Sequence, residues 1–183
     1  MTDSDKIPEL EGEAGWMDLR RDMWPDKGPS FVSGDRGDRL RVKYFRNQEN
    51  GHLVGKVWFG PGTQGPPGHA HGGSMAALLD EVMGTAAWIS GHQVLAASIK
   101  IDFRNTIPLQ TVAFFEGWVE QVNGRKITTR SKLSGPEGKV FAEGEGLFIQ
   151  MEKFFGQFGE SQMKGMNRLK ERAEKKEQEE SPA

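Results

Sequence analysis

Cysteine is missing from all 183 residues of the chain, which removes thiol nucleophiles, thiolate zinc sites and disulfides together. Any chemistry must run on carboxylate, imidazole, hydroxyl or backbone groups. A charge surplus is missing too: 24 Lys and Arg stand against 26 Asp and Glu, a formal net charge of -2, whereas a protein that coats nucleic acid is strongly basic. No stretch approaches the roughly 18 apolar residues that a membrane-spanning helix needs. The opening MTDSDKIPELEGE is acidic where a secretory or mitochondrial leader is basic, so a cytoplasmic protein is expected. Hydrophobic residues make up only 36% of the chain, and they gather between residues 39 and 151. The middle can build a core and the flanks cannot. Three parts are therefore expected: an N-terminal extension over 1–38 with a short helix near Trp16 to Met23, a folded domain over 39–151, and a charged tail over 152–183 that is helical or disordered.

Within the middle, RLRVKYFRN alternates, with Leu40, Val42 and Tyr44 on one face and Arg41, Lys43 and Phe45 on the other, which is the period of a strand. HLVGKVWFG follows after the turn residues QENG, so the two runs predict a hairpin. The next segment, PGTQGPPG, is too rich in proline and glycine for either regular structure. From Gly72 the period changes: Met75, Leu78, Leu79, Val82, Met83, Ala86 and Ile89 recur at the spacing of one helix face. This predicts a helix over 72–90 ended by Gly91. Four strand candidates come after it, VLAASIKIDFRN, TVAFFEGWVEQV, RKITTRSKL and KVFAEGEGLFIQM, with a tight hairpin at Val122-Asn123-Gly124-Arg125. Strand, strand, helix and four strands make an α+β class protein, an antiparallel sheet wrapped around one central helix.

The chemistry concentrates in GPPGHAHGGSMAALLDEVMG. His69 and His71 form an H-x-H pair, but a metal site of that type needs continued strand and a nearby glutamate. Ser74, Met75 and Ala76 begin a helix instead, so no metal is expected, and His69 reads as a surface histidine. Gly72 and Gly73 stand at the helix start, where the first N–H groups have no intrahelical acceptor and the macrodipole is positive. Two glycines there form a tight entry turn or let a carbonyl oxygen approach and be polarised. Asp80 and Glu81 flank the apolar stripe equally, so amphipathicity does not choose between them. Asp80 shares its side with Gly73, Ala76, Gly84 and Ala87, small residues that let another backbone come close. Glu81 lies beside Ser74, Thr85 and Trp88, a more crowded and wetter side. The small-residue groove makes Asp80 the better candidate for a site whose acidity is tuned by burial.

His71-Gly72-Gly73 followed by Asp80 on the helix it opens, with the preceding GPPG and the later IKIDFRNTIPL, resembles the hotdog-fold thioesterases. The likeness is to the phenylacetate-pathway type and to thioesterase superfamily members 4 and 5, and it runs over roughly 39–151. It implies a hotdog fold that pairs sheets edge to edge as a homodimer, often doubled to a homotetramer, with active sites at the dimer interface. It implies hydrolysis of an acyl-CoA or related acyl thioester in lipid metabolism, with Asp80 as base or nucleophile, the Gly73 N–H as oxyanion donor and His71 polarising the same region. Coenzyme A enters as part of the substrate and no other cofactor is needed. Gly72, Gln64, Thr85 and Ser98 are the expected substrate contacts, though Gly65, Gly84 and Ala96 occupy the positions where relatives carry an amide, a threonine and a hydroxyl residue. Arg104 and Asn105 at a strand end, or Arg125 and Lys126 at a hairpin, would meet the CoA phosphates. Two other readings stay open, a hotdog protein that binds acyl-CoA without turning it over and a hotdog dehydratase or hydratase.

Overall fold

A computed structural model describes residues 7–19, 31–32, 37–157 and 171. The strands are β1 (Trp16–Asp18), β2 (Leu40–Asn47), β3 (Leu53–Phe59), β4 (Val94–Phe103), β5 (Thr111–Asn123), β6 (Lys126–Ser134) and β7 (Val140–Gln150). Helix α1 covers Gly72–Ile89, and α2 is one turn at Glu152–Phe155. The strands make one antiparallel sheet in the order β1-β2-β3-β5-β6-β7-β4. Every strand and the helix expected from the central part of the sequence are present. One expectation changes. Trp16 to Asp18 pair with β2 as a strand and do not start a helix, because Trp16 packs its ring at a tilt against Phe45 and Leu19 donates its N–H to the Tyr44 carbonyl. Residues 20–23 of the expected helix, and most of the charged tail, lie outside the described residues.

Helix α1 buries the face that its periodicity marked, including Leu78, Leu79, Val82, Met83 and Ile89. Each is at most 2% exposed, and burying such a side chain is worth about 1.5–3 kcal/mol. They pack on Leu53, Val57 and Phe59 of β3, Ala113 and Phe115 of β5, and Leu133 of β6, with Ile127 and Phe148 under the C-terminal half. The helix lies so close to β5 that a Cβ on Gly117 would sit 2.6 Å from Val82 Cγ1. Gly91, at φ 89°, ends the helix in the left-handed conformation that glycine adopts without strain. On the opposite face of the sheet the segment before β2 covers β2 and β3. Glu13 pairs with Lys56 and Asp18 with Lys43, leaving Phe45, Val54 and Trp58 at most 6% exposed.

The far end of the sheet is different. Strand β4 hydrogen-bonds only β7, and its outer edge has no strand beside it among the described residues. Leu95, Ile99 and Phe103 remain 40%, 41% and 52% exposed. A long, apolar, unpaired edge is a template for another strand.

Candidate active site

His71 is the N-cap of α1. Its backbone is extended (φ -69°, ψ 138°), and its Nδ1 accepts the N–H of Gly73 at 2.8 Å. The imidazole thus satisfies one of the orphan donors of the first turn, and acceptance at Nδ1 leaves the proton of the neutral ring on Nε2. The Ser74 hydroxyl closes the same turn by donating to the His71 carbonyl at 2.6 Å. The Gly73 N–H, expected to serve as oxyanion donor, is therefore already committed to His71. The N–H of Gly72 has no partner among the described residues, and the ring of Phe103 stands over that glycine at 3.4 Å from where a Cβ would be.

The two adjacent carboxylates separate clearly. Glu81 accepts the hydroxyl of Tyr44 at 2.7 Å, so it is tied to β2. Asp80 is half-buried and makes no hydrogen bond or ion pair among the described residues. Burial pushes its carboxyl up from the ordinary value, because desolvation penalises the charged form. Its small-residue surroundings are partly used by the fold, since Ala87 is fully buried and Gly84 meets Phe148. Ala76 and Gly73 stay accessible. Gly73 and Asp80 are seven residues apart on one helix, about 10 Å at 1.5 Å per residue.

Gln64 comes from the loop before the helix. Its Oε1 accepts the Gly68 N–H at 3.3 Å, and the loop is held by the His71 N–H on the Thr63 carbonyl and the Gly65 N–H on the His69 carbonyl. Gln64, His71 and Gly73 border one cavity of about 300 Å³, so three expected site residues are brought together. Thr85 is buried in the helix and lies away from that cavity. Ser98 does not share a face with Ala96. A bulge between them registers Ala96 with Phe148 and Ser98 with Leu147, neighbours that point to opposite sides of β7, so Ser98 faces away from α1. Arg104 pairs with Glu143 at 2.9 Å and Asn105 Nδ2 donates to the Val140 carbonyl at 2.7 Å, both exposed at the end of β4. Arg125 donates to the Gln150 carbonyl. Of the wall made by Phe31, Val32, Arg39 and Leu40 only Leu40 had a signal in periodicity, as a strand residue, and nothing local tied it to the motif, because the wall is assembled from segments far from the motif in sequence.

Residues 67–142 match the family model of the thioesterase superfamily. Over that stretch the chain is similar to the thioesterase superfamily. It is 32% identical over 108 residues to acyl-coenzyme A thioesterase THEM4 of Xenopus laevis, covering 58% of this chain and 49% of the relative. It is 35% identical over 94 residues to THEM5 of Mus musculus, covering 51% and 38%. The chain spans half or less of the length of these two relatives. A crystal structure of a thioesterase superfamily protein aligns at 35% identity with TM-score 0.57, over 60% of this chain and 53% of that one. A hypothetical thioesterase of Streptococcus pneumoniae, crystallised with coenzyme A, aligns at TM-score 0.55 and 17% identity, over 62% and 86%. The fold is the expected hotdog, an antiparallel seven-stranded sheet around one long helix.

Proposed function

We propose that the protein is an acyl-CoA thioesterase that hydrolyses an acyl-CoA, or a related acyl thioester, to a free acid and a thiol. The observation that carries this reading is Asp80, a half-buried carboxylate without a partner among the described residues and with its proton affinity raised by burial. In the ionised form it takes a proton from a water molecule. The resulting hydroxide attacks the thioester carbon, charge passes to the carbonyl oxygen, and collapse breaks the C–S bond to give the acid and a thiolate that takes up a proton. The alternative is direct attack by the carboxylate, whose acyl-enzyme anhydride water then hydrolyses. In either route the oxyanion needs a donor at the positive end of α1. The Gly72 N–H suits this role as it stands, and the Gly73 N–H does so once His71 Nδ1 releases it. No resident cofactor is required, since coenzyme A arrives with the substrate.

One helix cannot bring these parts together, because its base lies about 10 Å along the axis from its own donors. The site is therefore assembled between two copies, the Asp80 of one facing the helix start of the other. The unpaired edge of β4, with exposed Leu95, Ile99 and Phe103, is the surface on which a homodimer would form, and a dimer of dimers is a further step. Residues 39–151 are the unit proposed to do this, in the cytoplasm, with 1–38 and 152–183 as flanks. The decisive measurement is hydrolysis of a series of CoA thioesters by the parent chain and Asp80→Asn. Loss of a positioned base costs about 10²–10⁴ in rate; equal activity in the variant overturns the assignment. Binding of acyl-CoA without turnover is the second reading, favoured by Ala96 at the relatives' hydroxyl position and by Ser98 facing away from the helix. Tight acyl-CoA binding with no product release would select it.

A further inference from the structure

The cavity at the start of α1 is two-sided. Phe31, Val32 and Leu40 form an apolar wall, and Arg39, Gln64 and His71 contribute the polar one. Each of the three polar side chains offers a donor. Arg39 has five N–H groups and no ion pair among the described residues. Gln64 spends its oxygen on the Gly68 N–H and keeps its amide hydrogens. His71 spends Nδ1 on the Gly73 N–H and keeps the N–H at Nε2. Among the described residues no carboxylate lines the cavity, and Asp38 stands beside Gly62. Thr63 and Ser74 complete the polar lining, their hydroxyl protons donated to the Gly60 and His71 carbonyls. Arg39 is the permanently cationic group of the described lining, and a guanidinium selects a carboxylate over a neutral oxygen. The volume, about 300 Å³, is room for roughly ten non-hydrogen atoms at about 30 Å³ each. That accommodates a short acyl group and excludes a long chain or the coenzyme.

We infer that this cavity receives the acyl end of the substrate and that Arg39 makes the enzyme selective for short acyl groups ending in a carboxylate, the acyl moieties of dicarboxylic acids of about four to six carbons. The inference rests on the thioesterase reading of the same site. The methylenes lie on Phe31, Val32 and Leu40, the distal carboxylate meets Arg39, and the thioester carbonyl is left at the helix start beside His71.

The test compares kcat/KM for glutaryl-CoA and for hexanoyl-CoA in the full chain, in Arg39→Gln and in Lys139→Gln, a control that removes an exposed positive charge outside the cavity lining. A charge-assisted contact of this kind is worth about a factor of ten or more. The parent should prefer glutaryl-CoA, Arg39→Gln should lower the glutaryl-to-hexanoyl ratio at least tenfold, and the control should leave the ratio unchanged. A parent that prefers hexanoyl-CoA, or a ratio unmoved in Arg39→Gln, overturns the inference. If neither thioester is hydrolysed, the thioesterase reading fails, and calorimetric binding of the thioether analogues 4-carboxybutyl-CoA and pentyl-CoA tests the cavity alone. Tighter binding of the carboxylate analogue that disappears in Arg39→Gln supports the site, and equal binding of the two overturns it.

Discussion

Replacing Ile99 by lysine should take the protein apart into single chains. Ile99 lies on β4 in register with Gly146 and is still 41% exposed. Burying that remainder against a second copy is worth about 0.6–1.2 kcal/mol from the usual 1.5–3 for a whole side chain. A two-fold interface counts it twice, about 1.2–2.5 kcal/mol. Lysine forfeits this term and adds a pair of like charges along an edge where lysine is a natural guard against pairing. The combined loss is at least about 2 kcal/mol, a rise of roughly 30-fold in the dimer dissociation constant. Sedimentation equilibrium over a concentration series reads it directly, with Ile99→Val as a conservative control. A folded Ile99→Lys chain with an unchanged dissociation constant would refute the edge-pairing argument, and so would a parent chain that stays monomeric at every concentration.

Three further outcomes follow from the same geometry. Asp80 binds its proton more tightly in the folded chain than in the unfolded one, so its ionisation costs no stability below the ordinary carboxylate value and the full cost above the raised folded value. Asp80→Asn should then raise the melting temperature more at pH 7 than at pH 4, and an equal shift at both pH values would show that the carboxyl is not held up by burial. His71→Ala removes the acceptor of the Gly73 N–H and should cost about 1 kcal/mol, some 2–4 °C in melting temperature at this chain length, with His71→Asn restoring most of it. Thr129 is fully buried and its hydroxyl has no hydrogen-bond partner among the described residues; Thr129→Val should gain about 1 kcal/mol by removing a desolvated polar group, and a lower denaturant midpoint would contradict that.

The sequence made the helix and its buried face legible because Met75 to Ile89 repeat at one period without interruption. The strands were legible for the same reason, each bounded by turn residues such as Asn123-Gly124. Asp80 was separable from Glu81 only through the size of its neighbours, and the structure supplies the stronger reason, the Tyr44 hydroxyl on Glu81. That contact joins residues 37 apart, and no local pattern announces it. Trp16 to Asp18 were misread as helix because a three-residue strand is too short to show a period of two. Two residues apart on a regular strand, Ala96 and Ser98 would share a face, but a bulge between them adds one residue and turns every later side chain over. Such a shift depends on how β4 meets β7 and leaves no mark in composition.

Oligomeric state and catalysis are one question in this fold. Asp80 lies seven residues along the helix from Gly73, and no side-chain rotation spans about 10 Å, so with the proposed roles of base and oxyanion donor an isolated chain could not apply both to one carbonyl. The edge that offers to repair this is the strand whose last residue, Phe103, stands over Gly72. Pairing at β4 would bury more of Phe103, which is 52% exposed in one chain, and the proposed two-copy site requires it to bring a second helix start to Asp80. The charge on Asp80 is disfavoured by burial in one chain, and the proposed role gives a reason for it to be tolerated, since stability is given up where activity needs a carboxylate without a partner.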